Sequence, residues 1–435
     1  MAIKHTFTSE VEDGADETLV RPSNWNADHE ITGDVNFAKY KAITLVCDNG
    51  ATMPTSPATG QWFLHTPTGR KILYQYNGAD WIPIISHGTM TVYVDKTDGT
   101  DDLNHGTAVD SNAFATVQYA INCIPGLVGG NVTINVNGED TGETVTVQGK
   151  SLSGNYTITI QGTLSTSASG TQSANGLKGA VANHGYFTDT GNLAGVANKL
   201  AYLAADGDYR IIDSTDNNTA TIVGYFTSQP LQNEAYVVYD WATILDRVLL
   251  KAGQMGVVLN DIKVEGDAST YPVELEPFSR LTLNRCYITN ATTETIWLEG
   301  SITANQSLCE TTVNTGAITP ILTGVAILNG VKILANHDGA KGLRALYGGV
   351  GYLGKYAVGQ PCVIDGLAGA NKAIGGVICS GNSFVGCEAQ YNKIRNCDTG
   401  VVADTGGQVM ATANNQYSGN TADETATAAS FGYID

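Results

Sequence analysis

Apolar and polar residues alternate in short runs along most of this chain, which is the period of strands with one face buried. Thr91-Val92-Tyr93-Val94-Asp95 reads as a strand, and alternating runs follow at 131–136, 143–148 and 156–161. Between them, Phe114, Val117 and Ile121 are spaced to form one apolar face of a short helix. Earlier, residues 59–85 hold aromatic runs punctuated by Pro67-Thr68-Gly69 and Asn77-Gly78, a signal for consecutive hairpins in a small β-meander. His65 among these aromatics reads as a structural residue.

After residue 255 a repeat emerges. An apolar or small residue followed by Asn recurs at Leu259-Asn260, Leu283-Asn284, Ala304-Asn305, Leu328-Asn329, Tyr391-Asn392 and Ala413-Asn414. A step of some twenty residues is about one turn of a solenoid, whose turns each need neighbours to bury their apolar side. Asn at a fixed turn position tolerates left-handed backbone and can hydrogen-bond along the stack. The leucine consensus and intervening helices of a leucine-rich repeat are absent. Gly-rich sequence hides the register between 340 and 385. Residues 165–243 break the rhythm and read as a small β module inserted between turns, and such insertions fall on one face of a solenoid, often the binding face.

Composition agrees with many short strands and tight turns: 50 Gly and 15% charged residues in 435. A formal charge of −19 with only 23 Lys and Arg argues against nucleic acid as a partner. The first ten residues lack the apolar core of a signal peptide, and no run is long and apolar enough for a membrane span. The eight cysteines follow no zinc or C-x-x-C spacing and read as reduced, buried thiols. The sequence gives no sign of a cofactor or a metal site. An acidic cluster at Asp95, Asp98, Asp101 and Asp102 reads as a turn, with calcium as the alternative.

Three stretches resemble bacteriophage tail spike and tail fibre proteins. Residues 19–29, Leu19-Val20-Arg21-Pro22-Ser23-Asn24-Trp25-Asn26-Ala27-Asp28-His29, are similar to the virion-attachment end of such proteins, and residues 59–81 to their hairpin modules. The "Val-Tyr-Val-Asp … Phe-Ala-Thr-Val-Gln-x-Ala-Ile-Asn" pattern of residues 92–122 resembles the opening of pectate-lyase-like coils, where a helix plugs the end. The expected fold is therefore all-β: a right-handed single-stranded parallel β-helix behind an N-terminal attachment segment and a small β-hairpin module. The expected divisions are 1–40 attachment, 41–90 hairpins, 91–164 the capped start of the coil, 165–243 the inserted module, 244–420 further turns, and 421–435 a C-terminal cap. The resemblance implies a virion protein assembled in the host bacterial cytoplasm, a homotrimer, with other tail or baseplate proteins bound at its N-terminus. It implies adhesion to host cell-surface polysaccharide, without membrane insertion, or alternatively a depolymerase acting on capsule or lipopolysaccharide.

One constellation suits sugar chemistry. Val273-Glu274-Leu275-Glu276 and Ile296-Trp297-Leu298-Glu299 share a pattern, and alternation sends Glu274, Glu276, Trp297 and Glu299 outward. Stacked in register, Glu276 and Glu299 are about 5 Å apart at the backbone, and Glu274 and Glu276 roughly 7 Å. Such separations bracket those of glycosidase carboxylate pairs, so Glu274, Glu276 and Glu299 are candidate catalytic residues. Crowding would raise a carboxyl pKa and supply an acid. Trp297 and Tyr271 are candidate platforms for a sugar ring, with Arg280 as a further contact. The competing reading is a solvated acidic face, with Arg280 and Arg285 as its ion-pair partners.

Overall fold

The computed structural model describes residues 2–3, 29–30 and 48–434, with breaks at 87, 139–141, 180–183, 205–206, 267–270, 291–292, 355–359, 367–372, 388–391, 412–414 and 427–432. Residues 1–47 form a separate unit, in which Ala2–Ile3 pairs antiparallel with His29–Glu30. The proposed attachment motif at 19–28, Cys47, and the Ala413-Asn414 repeat lie outside the described residues.

From residue 90 onward the chain winds as a parallel β-helix with three faces, in the right-handed sense that parallel crossovers favour. Face one is an eleven-stranded sheet running from Met90–Asp95 to Tyr433–Ile434. Face two has eight strands, Thr243–Leu245 to Gln416–Ser418, and face three nine, Thr144–Val147 to Ala422–Ala426. A representative turn visits Arg280–Asn284 on face one, Tyr287–Asn290 on face two and Ile296–Leu298 on face three, then returns to face one at Ser301–Asn305.

Register along face one is strict. Leu259 pairs with Leu283, Leu283 with Ala304, and Ala304 with Leu328. All four are buried, as are Val273, Ile296, Ile318 and Leu343 on face three, and they join one continuous apolar column. Each buried Leu or Ile contributes roughly 1.5–3 kcal/mol, but only if the turns above and below cover it. The helix Val117–Cys123 closes the N-terminal end. Thr116 caps it by accepting the Tyr119 N–H at 3.1 Å, and Val117, Ala120 and Ile121 face the column. Phe114, expected on this helix, precedes it and bridges to Val94, buried beneath the Arg70 guanidinium.

The repeated asparagines form a ladder. Asn260 donates to the Gln161 side chain at 3.0 Å, Asn284 to Asn260 at 2.9 Å, Asn305 to Asn284 at 2.9 Å and Asn329 to Asn305 at 3.1 Å. Each amide satisfies its neighbour where the chain turns toward face two. The left-handed residue is the one after Asn: Asp261, Arg285, Gln306 and Gly330 have φ of 58°, 54°, 49° and 60°. This corrects the expectation that Asn itself takes that conformation. Asn392 also leaves the series. It lies before Lys393–Arg395 on face two, where its side chain donates to Asn415 at 3.2 Å and accepts from the Cys362 N–H at 2.9 Å.

The aromatic runs form the antiparallel meander Trp62–His65, Ile72–Tyr76 and Trp81–Ser86, whose sheet continues into Leu127–Val128 and Ser151–Leu152 at the coil's start. His65 is buried there and bonds the Ala51 carbonyl at 2.9 Å; burial lowers its pKa to about 4. The described cysteines are buried and form no disulfide. The acidic turn is used internally. Asp95 accepts from the Thr97 and Asp98 N–H groups, Asp101 holds the helix start through the Thr116 N–H and hydroxyl, and Asp102 pairs with His105.

A six-stranded sheet from Leu164–Thr171 to Ala235–Trp241 leaves the coil between faces one and two and folds back over face two. Its Leu200, Ile211 and Val223 pack on Leu308 and Val363 of the coil. Beside them Asp213 contacts Lys332 at 3.1 Å and Arg395 at 2.8 Å; the Asp213 and Lys332 side chains are 1% and 2% exposed. Burial pushes the Asp213 carboxyl upward, yet the two cations hold it below the usual carboxylate range.

Two substitutions test this architecture. Asn284→Ala removes two rungs of the amide ladder and should cost about 1–3 kcal/mol in denaturant unfolding, whereas an unchanged midpoint would show that the ladder contributes nothing. Asp213→Ala leaves Lys332 buried and uncompensated. It should cost about 3–5 kcal/mol, read in the same assay.

Candidate functional site

Face three carries the proposed constellation. Val273, Leu275, Ile296 and Leu298 point into the column, while Glu274, Glu276, Trp297 and Glu299 are partly exposed on the outside. Glu274 pairs in register with Leu249 on the preceding turn and Trp297 on the following one. One step further along, the Glu299 N–H donates to the Leu275 carbonyl at 2.8 Å, which sets Glu276 and Glu299 on adjoining turns.

Two of these carboxylates, Glu274 and Glu276, are held by cations of the preceding turn. Glu274 pairs with Arg247. Glu276 accepts from Lys251 Nζ at 2.6 Å and from the Ala252 N–H at 3.0 Å. That lysine hydrogen bond outweighs the partial burial and keeps the Glu276 carboxyl below its ordinary value. The expectation that crowding raises it is therefore corrected: Lys251 is nearer in effect than a second carboxylate. The expected ion-pair partners are corrected too. Arg285 pairs with Asp261 at 2.7 Å and lies over the Tyr209 ring, on the side of the inserted module. Arg280 is exposed and lines a different cleft, of about 480 Å³, with Lys150, Tyr156, Met255 and Thr282.

Tyr271 and Trp297 come together as a parallel stack, ring centroids 5.2 Å apart and planes within 9°. Burial raises the Tyr271 pKa, and the nearby charges of Glu294 and Glu274 add to it. Glu299 lies instead at the turn edge between faces three and one. There it borders a cleft of about 320 Å³ with Met255, Phe278, Ser279, Ser301 and Thr323. Met255 lines both this cleft and that of Arg280, so the two open side by side.

The sequence reading missed a feature of that edge. Phe278, Leu322 and Tyr347 are 75%, 55% and 69% exposed, and all three adopt left-handed backbone, with φ of 61°, 50° and 51°. Bulky residues rarely occupy this region, which costs roughly 1–2 kcal/mol each, and an exposed one gains little burial in return. No sequence signal marks them, because turn rules expect Gly or Asn at such positions.

No known family's sequence profile matches the chain, and no curated protein matches it. Solved structures that match include three phage tailspikes. The tailspike gp61 of Pseudomonas phage phi297 is 15% identical, with 74% of this chain aligned to 68% of that one at a TM-score of 0.21. The tailspike gp54 of Acinetobacter baumannii bacteriophage AP22, solved with an A. baumannii capsular saccharide, is 10% identical. It aligns 69% of this chain with 64% of its own at a TM-score of 0.19. For the tailspike gp49 of Pseudomonas phage LKA1 the figures are 9% identity, 80% and 68% coverage, and a TM-score of 0.18.

Glu276 gives a pH test of the site. Its carboxyl is lowered in the folded state, so its pairing stabilises the fold above the ordinary value of 4.5 and is lost as pH falls through the lower folded value. The stability gap between wild type and Glu276→Gln should accordingly be present at neutral pH and shrink as pH falls below the ordinary value of 4.5 in a series of denaturant titrations. A gap that widens toward acid would contradict the assignment.

Proposed function

We propose that this chain is a bacteriophage tail spike or tail fibre protein that adheres to polysaccharide on the host surface. The observation that carries adhesion over cleavage is the state of the glutamates. A glycosidase acid must hold a proton near neutral pH, which requires a raised pKa. Glu276 is shifted the other way by Lys251, and Glu274 is engaged by Arg247. Fixed carboxylates of this kind suit hydrogen bonds from sugar hydroxyls, and the Tyr271–Trp297 stack and the rings of Phe278 and Tyr347 offer apolar surface for sugar C–H faces. The coil's backbone presents them in fixed register, which limits the ordering cost on binding to the side chains themselves.

Left-handed, exposed Phe278 supports the same reading. Strain that adds no packing is retained where it serves recognition. Single sugar sites bind weakly, and a homotrimer would multiply them into useful avidity. In the same reading, residues 1–40 dock on other tail or baseplate proteins. Hydrolysis or β-elimination by Glu274, Glu276 and Glu299 is the second reading, favoured by the adjoining turns of Glu276 and Glu299.

Incubation with host polysaccharide, scored for new reducing ends and for unsaturated products, separates the two readings. Adhesion predicts binding without product in wild type, Glu276→Gln and Glu299→Gln alike. Product that disappears in those variants would establish the depolymerase. Phe278→Gly should raise stability by about 1 kcal/mol, since glycine accepts positive φ, while weakening polysaccharide binding several-fold. Light scattering should give three times 45.7 kDa for the assembled protein.

A further inference from the structure

Where the inserted module rests on face two, a cleft of about 250 Å³ opens between them, and neither the repeat pattern nor the glutamate constellation involves it. Asn198 comes from the module, and Glu310, Leu334, Asn336, Asp365 and Asn396 come from the coil. Strict register fixes the floor. Glu310 pairs with Leu334, and Leu334 with Asp365, so the two carboxylates sit two turns apart, about 9.6 Å at the backbone, on either side of one apolar side chain.

Each polar group is held from behind. Tyr287 donates its hydroxyl to Glu310, and Asn336 donates to the other Glu310 oxygen at 3.2 Å. Asp365 accepts from Arg395 and Asn396, both at 2.7 Å. Asn198, at φ 64°, accepts from buried Lys332 at 2.7 Å. Amides that both donate and accept, fixed carboxylates that accept, and one aliphatic patch between them match the hydroxyls and C–H face of a single pyranose. Carboxylates accept two or more hydrogen bonds each, so the ties from behind leave lone pairs for a ligand.

We infer that this cleft is a saccharide subsite for a neutral or amino-substituted sugar unit, formed jointly by the inserted module and face two. The inference rests on the glycan-adhesion reading and adds a second binding place on a different side of the coil from Trp297. Its charge sets the class of sugar. Arg395 balances Asp365, but Glu310 faces the cleft with only neutral donors, Tyr287 and Asn336, so a uronic or sialic acid would be repelled. The arrangement also gives the buried Asp213–Lys332–Arg395 cluster a role beyond stability. It fixes the wall that carries Asn198 against the floor that carries Asp365.

A printed array of bacterial capsule and O-antigen polysaccharides tests this with the full-length protein, its Asn336→Trp, Asn336→Ala and Glu310→Gln variants, and Trp297→Ala. Asn336 is exposed, so neither of its substitutions endangers folding. The expected result is that wild type retains polysaccharides rich in neutral or amino sugars. Asn336→Trp, which fills the cleft, should lose at least about tenfold in apparent affinity, with a smaller loss for Asn336→Ala and Glu310→Gln. If the bound set consists of polyuronic or sialylated polymers, the subsite is wrong. It is also wrong if Asn336→Trp binds as wild type does while Trp297→Ala loses binding, a result that leaves the adhesion reading standing. Retention of no polysaccharide by wild type overturns both.

Discussion

The structure depends on the in-register stacking of successive turns. Parallel strands about 4.8 Å apart exchange backbone hydrogen bonds only if equivalent residues lie above one another, and this one condition converts sequence repeats into columns. Inward columns become the apolar interior. At the corner between faces one and two, the column is the amide ladder from Gln161 to Asn329, and each of its asparagines is followed by a left-handed residue. No single turn could bury its own side chains, so stability is a property of neighbours. The ends need separate treatment, which the helix Val117–Cys123 provides at one of them.

The same condition arranges the outer surface. Outward residues also stack, so cations of one turn meet carboxylates of the next: Arg247 with Glu274, and Lys251 with Glu276. An acidic protein thereby carries fixed, ion-paired carboxylates on a rigid face, which suits recognition of many weak, repeated groups. The inserted module breaks the periodicity at one corner and packs on face two through Leu308 and Val363. The left-handed edge residues show the cost of the arrangement. At the corner between faces three and one the chain takes left-handed backbone at Phe278, Leu322 and Tyr347, where glycine would be less strained.

Much of this was legible in the sequence, for physical reasons. Alternation in Val273-Glu274-Leu275 and Ile296-Trp297-Leu298 reports directly which side chains face the column, and the regular Asn positions report the corner. The coil was hidden between 340 and 385 because glycines stand among its inward Leu343, Leu353, Ile364 and Val377 and interrupt the alternation. Gly342 is an example: a side chain on it would meet the Gly376 carbonyl oxygen at 2.4 Å, so close approach replaces hydrophobic signal. The assignment of Tyr391-Asn392 to the ladder failed because spacing alone does not distinguish one corner of a turn from another. Ionic partners were misjudged for a related reason. Arg280 and Arg285 are near Glu276 in sequence, but stacking makes the relevant neighbours those one turn earlier, Arg247 and Lys251. The cleft holding Asn198 and Asp365 brings together residues too distant in sequence for any local pattern to show.

Stacking can be tested most directly by covalent capture across one turn. Thr282 and Thr303 are register partners on the outside of face one. Their backbones should lie about 4.8 Å apart, within the span of a disulfide. Thr282→Cys with Thr303→Cys should close rapidly under mild oxidation, and Thr282→Cys with Ile327→Cys, two turns apart, should not. A pair that fails to close across one turn, or closes across two, would contradict the stacked coil on which the fold and both proposed sugar sites rest.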